Sequence, residues 1–191
     1  MSKARDNAIA PSAGYIFQFE IALVMLADLE KNKSISIEHV DDVAKVDEKG
    51  TILVTTQVKH SISASGSTYQ DTSLSLWRTI EIWITKLKTG TFNRQTKFIC
   101  ISNKEFSEKS LIWNFKKMSF EESIMKIKSL NDSLKEKLKT LKRSGSHIKK
   151  IISLIDFALL NQDLFKIVIN NLEISTTTFP KDDFLNKIHF N

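Results

Sequence analysis

A short hydrophobic strand that leads into polar residues constrains the fold of this chain more than any other feature. Residues 51–56 are apolar or β-branched, follow the turn residue Gly50 and continue directly into Gln57-Val58-Lys59. Side chains of a strand alternate between its two faces, so Gln57 and Lys59 are predicted to share one face. The strand is therefore expected to be buried along its length and to present an amide and an ammonium at its end.

A second strand is predicted over residues 34–40, where polar and apolar side chains alternate. It is expected to pair antiparallel with the first strand across the turn 47–50 and to end at Asp41-Asp42. By the alternation, Glu38 and Asp42 would share a face, whereas Asp41 would face the opposite way unless a bulge reverses it. Carboxylates would thus lie beside the Gln-x-Lys strand end.

Carboxylate, amide and lysine groups around one point are the minimum set for metal-dependent phosphodiester hydrolysis. A divalent metal neutralises developing charge and lowers the pKa of a bound water, and Mg²⁺ prefers oxygen ligands. Lys59 is the predicted cation that positions the attacking water. The predicted ligands of Mg²⁺, with Mn²⁺ as the alternative ion, are Asp42, the Gln57 side-chain oxygen and the Val58 backbone carbonyl, with Glu38 and Asp41 as further candidates.

Composition indicates an ordinary globular chain with a polyanionic partner. The 191 residues are 41% hydrophobic and 26% charged, and the net charge is +6. The single cysteine, Cys100, excludes an internal disulfide and a cysteine metal site, which predicts a reducing cytoplasm. The apolar stretch 21–29 is too short and too acidic to span a bilayer.

The order of elements predicts one α/β domain with a helical C-terminal part, expected to be a fragment of a longer protein. It divides into a disordered lead (1–12), a core (13–105) and a helical extension (106–191). Periodicity and capping residues predict helices starting at Pro11-Ser12 and over 72–88, 120–141, 147–160 and 162–171, and further strands over 96–101 and 172–175. Residues 61–71 are predicted to form a mobile loop and 184–191 a further strand.

Several residues are candidates for contact with DNA or for the core. A basic helix face could follow phosphates without sequence preference, or could simply be solvated. The candidate DNA-binding residues are His60, Lys142, Arg143, Lys149 and Lys150. Trp77 and Trp83 are predicted to be core residues rather than platforms for bases, and Asp71 and Ser73 to cap the helix that carries them.

The acidic strand followed by Gln-x-Lys resembles the PD-(D/E)xK restriction-endonuclease-like superfamily, in its Gln-x-Lys branch. Gly14-Tyr-Ile-Phe-Gln18 is similar to the Gly-x-x-Phe-Glu/Gln element of Mrr-like restriction nucleases. That resemblance implies a restriction-endonuclease-like core, a mixed sheet flanked by helices. It also implies that Gln18 reaches the metal cluster from the first helix.

A closer resemblance covers residues 13–101 and is carried by segments 37–43, 57–61 and 71–83. These segments resemble the double-stranded DNA endonuclease domain at the N-terminus of CBASS effectors that carry a SAVED sensor domain. The resemblance implies a magnesium-dependent, low-specificity nuclease of bacterial anti-phage defence. It further implies a homo-oligomer, because restriction-type cuts need two active sites, and control by a sensor or NTPase domain outside this chain.

Two other functions remain open from the sequence. Gln57 replaces the acid of the best-known superfamily pattern, which removes one negative charge from the metal site. The chain could therefore be a DNA-binding module that has kept the fold and lost catalysis. The long amphipathic C-terminal half instead suggests a helical interaction or assembly domain.

Overall fold

The computed structural model describes residues 6–61, 68–141 and 145–176 and has the predicted α/β class. The predicted loop over 61–71 falls largely outside these ranges, as does the predicted strand over 184–191. The described elements are α1 (Asp6–Ala27), β1 (Lys33–Ile37), β2 (Val43–Asp47), β3 (Ile52–Lys59), α2 (Leu74–Lys88), β4 (Phe92–Ser102), α3 (Leu111–Asn114), α4 (Phe120–Thr140), α5 (Ser146–Leu160), α6 (Gln162–Asn170) and β5 (Leu172–Thr176).

The chain divides into two compact units. The sheet unit comprises Met1–Thr68, Gln95–Phe106 and Glu173–Asn191, and the helical unit comprises Tyr69–Arg94 and Ser107–Leu172. Helix α2 therefore clusters with the C-terminal helices.

The strands form one mixed sheet in the order β1-β2-β3-β4-β5. Strands β1 and β2 are antiparallel, as are β2 and β3. Besides the ladder itself, the Thr96 hydroxyl of β4 donates to the Ile52 carbonyl at 2.9 Å, and the N–H of Asn103, which follows β4, donates to the Lys59 carbonyl at 3.3 Å. The donor and the acceptor are 44 residues apart in both bonds, which shows that β3 and β4 run parallel, as expected for strands joined through a helix.

The predicted strand over 34–40 is wrong in its C-terminal part. Strand β1 ends at Ile37, and Glu38 adopts a left-handed backbone with φ +55°. The Glu38 N–H donates to the Asp42 carbonyl at 3.1 Å, so the chain reverses within five residues and starts β2 at Val43. The partner of β3 across the turn is β2, and Asp41-Asp42 precede this strand rather than end it.

Helix α1 packs one face against the sheet. Phe17, Ile21 and Ala22 form a buried cluster with Val58 and Ile101. Because Val58 faces α1, the alternation of β3 directs Gln57 and Lys59 toward the opposite face of the sheet.

The start of α1 differs from the prediction. The helix begins at Asp6 and contains Pro11, whereas the sequence predicted a start at Pro11-Ser12 after a disordered lead. Residues 1–5 of that lead lie outside the described residues.

The helical unit is built on α2, whose buried face carries Trp77 and Trp83, at most 1% exposed. Their predicted core role is confirmed. Ser73 caps α2 as predicted, because its hydroxyl accepts from the Leu76 N–H at 3.2 Å. Asp71 does not cap α2; its carboxylate accepts from the Leu111 N–H at 2.7 Å and so holds the start of α3.

Helix α4 begins with a capping box. The Ser119 hydroxyl accepts from the Glu122 N–H at 3.1 Å, and the Glu122 carboxylate accepts from the Ser119 N–H at 2.7 Å. In the described part of the chain, no helix combines the length and the apolarity needed to cross a bilayer.

Replacing the cap of α4 should destabilise the protein measurably. Ser119→Ala removes an acceptor for a helix N-terminal N–H, and the expected loss in free energy of unfolding is about 1 kcal/mol. Urea denaturation measures it. The matched control is Ser129→Ala, an exposed position within the same helix, which should not lower stability. Equal losses in both variants would contradict the cap.

Candidate functional site

The candidate site lies where the loop between β1 and β2 meets the end of β3. One oxygen of Asp42, Oδ2, accepts from the Val58 N–H at 2.7 Å and also from the Gln57 side-chain amide. The structure thus joins Asp42, Gln57 and Val58, which the sequence predicted to act together, although Asp42 reaches them from a loop.

A β-bulge sets this alignment. The register between β2 and β3 pairs Val46 with Ile52 but Lys45 with Val54, which shifts the pairing by one residue. Beyond the shift Val43 pairs with Thr56, so Asp42 comes next to Gln57. Without it Asp42 would come next to Thr56, on the opposite face. The bulge therefore re-aims the acid toward the Gln-x-Lys face.

Asp41 also turns toward this face, which corrects the prediction that it faces away. Its carboxylate accepts from the Thr55 hydroxyl at 2.7 Å, and Thr55, Gln57 and Lys59 occupy alternate positions of β3. The prediction that Asp41 faces away assumed the alternation of a regular strand, which does not hold in a loop. For the same reason, the prediction that Glu38 and Asp42 share a strand face is wrong. Thr55 was missed, although it lies two residues before Gln57 and its alternation with that residue could have indicated it.

The electrostatics of the site are dominated by the half-buried carboxyl of Asp42. The pKa of Asp42 is raised to about 6, chiefly because burial disfavours the charged form. The Val58 N–H opposes this increase, Asp41 and Glu38 add to it by repulsion, and Lys59 lowers the pKa by attraction. The charges of two neighbouring acids and one lysine thus act on Asp42, and a cation beside it would favour its ionised form.

Carboxylates alone do not make a metal site here. Among the described residues, no group of three or more His, Cys, Asp or Glu side chains is arranged to hold a metal. The predicted ligand set also needs neutral oxygens, which the Gln57 side chain and the Val58 backbone could provide. Both donors converge on Oδ2 of Asp42, which leaves Oδ1 without a donor among the described residues.

The two neutral groups have the chemistry that a hard dication needs. The N–H and C=O of one residue in an antiparallel ladder face the same neighbouring strand, so the Val58 carbonyl lies on the side of Asp42. The Gln57 amide currently donates to Asp42 and would have to rotate to offer its oxygen. With that rotation, Asp42, Gln57 and Val58 would each offer an oxygen of the kind that Mg²⁺ prefers.

Gln18 and His60 present unpaired polar atoms in the interior. Gln18 Oε1 and His60 Nδ1 are buried and lack a hydrogen-bond partner among the described residues. The His60 ring lies 5.3 Å from that of Phe17, so the histidine packs against α1. No hydrogen bond joins Gln18 to Asp42 or Gln57 in this part of the chain. Unpaired buried polar atoms are costly, so these two atoms are unusual in two residues that are otherwise partly exposed.

The candidate DNA-binding residues are only partly described. Lys149 and Lys150 are exposed on α5 of the helical unit, and Lys142 and Arg143 lie outside the described residues. Two lysines of the neighbouring helix α4 are paired with acids: Lys135 with Asp156 at 3.1 Å and Lys139 with Glu136 at 2.6 Å.

Comparison with known proteins adds no relative. No protein-family model, curated protein or solved structure matches this chain.

Replacing Asp42 by asparagine should remove a pH-dependent loss of stability. The folded-state pKa of Asp42, about 6, lies above the ordinary 3.8. Between these values the folded protein retains a proton that the unfolded chain releases. The free energy of unfolding of the wild type should therefore fall as pH rises from about 4 to 7, by about 1–3 kcal/mol relative to Asp42→Asn after allowance for partial exposure.

Urea denaturation at several pH values tests this expectation. The matched control is Asp132→Asn, a change at an exposed carboxylate on α4, which should follow the wild-type profile. If Asp42→Asn also follows the wild-type profile, Asp42 does not have a raised pKa.

Proposed function

We propose that the chain is a metal-dependent endonuclease that hydrolyses phosphodiester bonds of double-stranded DNA. The observation that supports it best is the convergence of Asp42, Gln57 and Val58, with the charge of Lys59 acting on Asp42. A structural Asp–Gln contact does not need a lysine two residues along the same strand face. Hydrolysis of a phosphate diester does need a cation near the attacking water.

Each residue has a defined role in this proposal. Asp42, the Gln57 oxygen and the Val58 carbonyl would hold Mg²⁺ or Mn²⁺, which supplies charge neutralisation and an acidic bound water. Lys59 orients the attacking water and stabilises negative charge at the phosphate. Asp41 is held by Thr55 and, with Glu38, adds negative potential that favours the metal. Neither of these two acids needs to bind it directly.

The biological setting belongs to the proposal as well. The family resemblance implies low sequence specificity and a part in bacterial anti-phage defence, in the cytoplasm. It also implies a homo-oligomer and a regulatory domain outside this chain. The net charge of +6 favours a polyanion, and phosphate contacts made through lysines bind without regard to base sequence. His60 packs against α1, so DNA contact is assigned to the basic residues rather than to it.

Cleavage of plasmid DNA tests the proposed activity. Wild-type protein with Mg²⁺ or Mn²⁺ should nick and linearise supercoiled plasmid, and Lys59→Ala should lower the rate by about 100-fold or more, as for other removed transition-state cations and donors. The matched control is Lys45→Ala in the same sheet, whose lysine pairs with Glu30 instead of acting on Asp42. It should cleave at the wild-type rate. Equal rates for Lys59→Ala and wild type would refute the assignment.

A second candidate function follows from the hydrogen bonds of Asp42. Oδ2 is already satisfied by two protein donors, which is how a purely structural carboxylate is held. The chain would then be a DNA-binding module of the same fold without catalysis. DNA binding that weakens steeply with salt, with no cleavage under either metal, would favour this candidate.

Gln57→Glu separates a metal site from a structural contact without an activity assay. Without metal the added carboxyl faces Asp42 and should lower the melting temperature by several degrees, because each kcal/mol shifts it by roughly 2–4 °C in a chain of this size. With Mg²⁺ the variant should regain stability, and by more than the wild type gains. The control Gln70→Glu, at an exposed position, should show neither effect. Failure of Mg²⁺ to stabilise Gln57→Glu would argue against metal at this point.

A further inference from the structure

Helix α1 exposes a row of large apolar side chains on the side away from the sheet. Tyr15, Ile16, Phe19, Leu23 and Leu26 are each between 49% and 59% exposed. We call these five residues the α1 stripe. Single exposed apolar residues are ordinary on protein surfaces, but a contiguous set on one element marks an interaction site.

The spacing makes the α1 stripe continuous. Ile16, Phe19, Leu23 and Leu26 follow at intervals of three, four and three residues, and Tyr15 adjoins Phe19 one turn earlier. This is the spacing of a helix seam that packs against another helix.

The opposite side of α1 is already occupied. Phe17 and Ile21 are buried against the sheet, and Met25 packs on the same cluster. Between Pro11 and Ala27 the helix carries one charged residue, Glu20. A surface helix with one buried face has a polar outer face, whereas α1 is apolar on both sides and is therefore built for two apolar neighbours.

The available area matches a second copy of this chain. A large apolar side chain offers about 200 Å² when fully exposed, so five half-exposed side chains offer about 500 Å² per copy and about 1,000 Å² for a pair. That total is close to the lower bound of about 1,000 Å² for a specific protein interface. The stripe carries no charge, so two copies related by a twofold axis would meet without burying one.

We propose that the α1 stripe is a homodimer interface in which α1 packs against α1 of a second copy. The inference stands on the exposure and spacing of the five side chains and does not depend on the nuclease activity. Its consequence for the site is direct. Because the opposite face of α1 packs on Val58 of β3, the dimer would hold two copies of the candidate site in one particle.

Sedimentation velocity of the whole chain tests the interface. Wild type should form a dimer of twice the 21.8 kDa chain mass, with a Kd at or below about 10 µM for an interface at the small end of the range. Leu23→Glu places a charge in the middle of the α1 stripe and should raise this Kd about 100-fold or more. The matched control is Leu160→Glu, at a leucine on α5 that is 84% exposed, which should leave the dimer intact.

Folding is checked separately, so that dissociation caused by a disrupted interface is distinguished from dissociation caused by unfolding. The stripe residues are half exposed, so Leu23→Glu should keep the wild-type circular dichroism spectrum. The second variant is Ile16→Lys, which changes a residue near the N-terminal end of the α1 stripe. It should also dissociate the dimer. Wild type that is monomeric at 100 µM would overturn the proposal, as would a dimer that both variants leave unchanged. Flotation of monomeric wild type with anionic lipid vesicles would overturn it in favour of a lipid surface.

Discussion

The one-residue register shift between β2 and β3 is the constraint on which the candidate site depends. Strand alternation alone would bring Asp42 next to Thr56, a residue on the α1 side of the sheet. The shift at Lys45 and Val46 brings Asp42 next to Gln57 instead. A single extra residue in β3 thus decides which face of the sheet receives the acid, and the hydrogen bonds from Val58 and Gln57 follow from it.

Holding Asp42 in this position has an energetic cost that the fold offsets only in part. Burial raises its pKa, and nearby Asp41 and Glu38 add repulsion. The Val58 N–H and Lys59 offset part of this cost because they stabilise the charged form of Asp42. A fold optimised for stability alone would place a neutral residue at position 42. Acids that lower the stability of the folded state are typical of catalytic and binding sites. The raised pKa of Asp42 therefore supports a functional role over a purely structural role in the turn before β2.

The sequence predicted the elements whose signals are local and missed those set by tertiary structure. Helices α2, α4, α5 and α6 lie within two residues of their predicted bounds, since periodicity and the cap Ser73 act within a few residues. The reversal at Glu38 was missed because its left-handed backbone carries no glycine or asparagine, the residues that indicate such a turn. The approach of the Asp42 segment to the end of β3 was predicted from the turn between the strands, but the register shift that aligns Asp42 with Gln57 was not. Thr55 was missed: alternation with Gln57 places it on the same face, but its bond to Asp41 depends on Asp41 lying in a loop outside the strand.

The two faces of helix α1 serve different parts of the molecule: one packs beside the candidate site, and the other carries the α1 stripe. Its inner face supports the end of β3, where Phe17 and Val58 belong to one buried cluster and the His60 ring lies 5.3 Å from that of Phe17. Its outer face has the length and apolar character of a helix–helix contact. In the proposed nuclease, cleavage of both strands of a duplex needs two active sites, and a pair of copies joined through α1 would supply them. A surface that pairs two copies therefore belongs on an element that packs against the strand of the site, and in the described part of the sheet unit α1 is the helix that packs on β3.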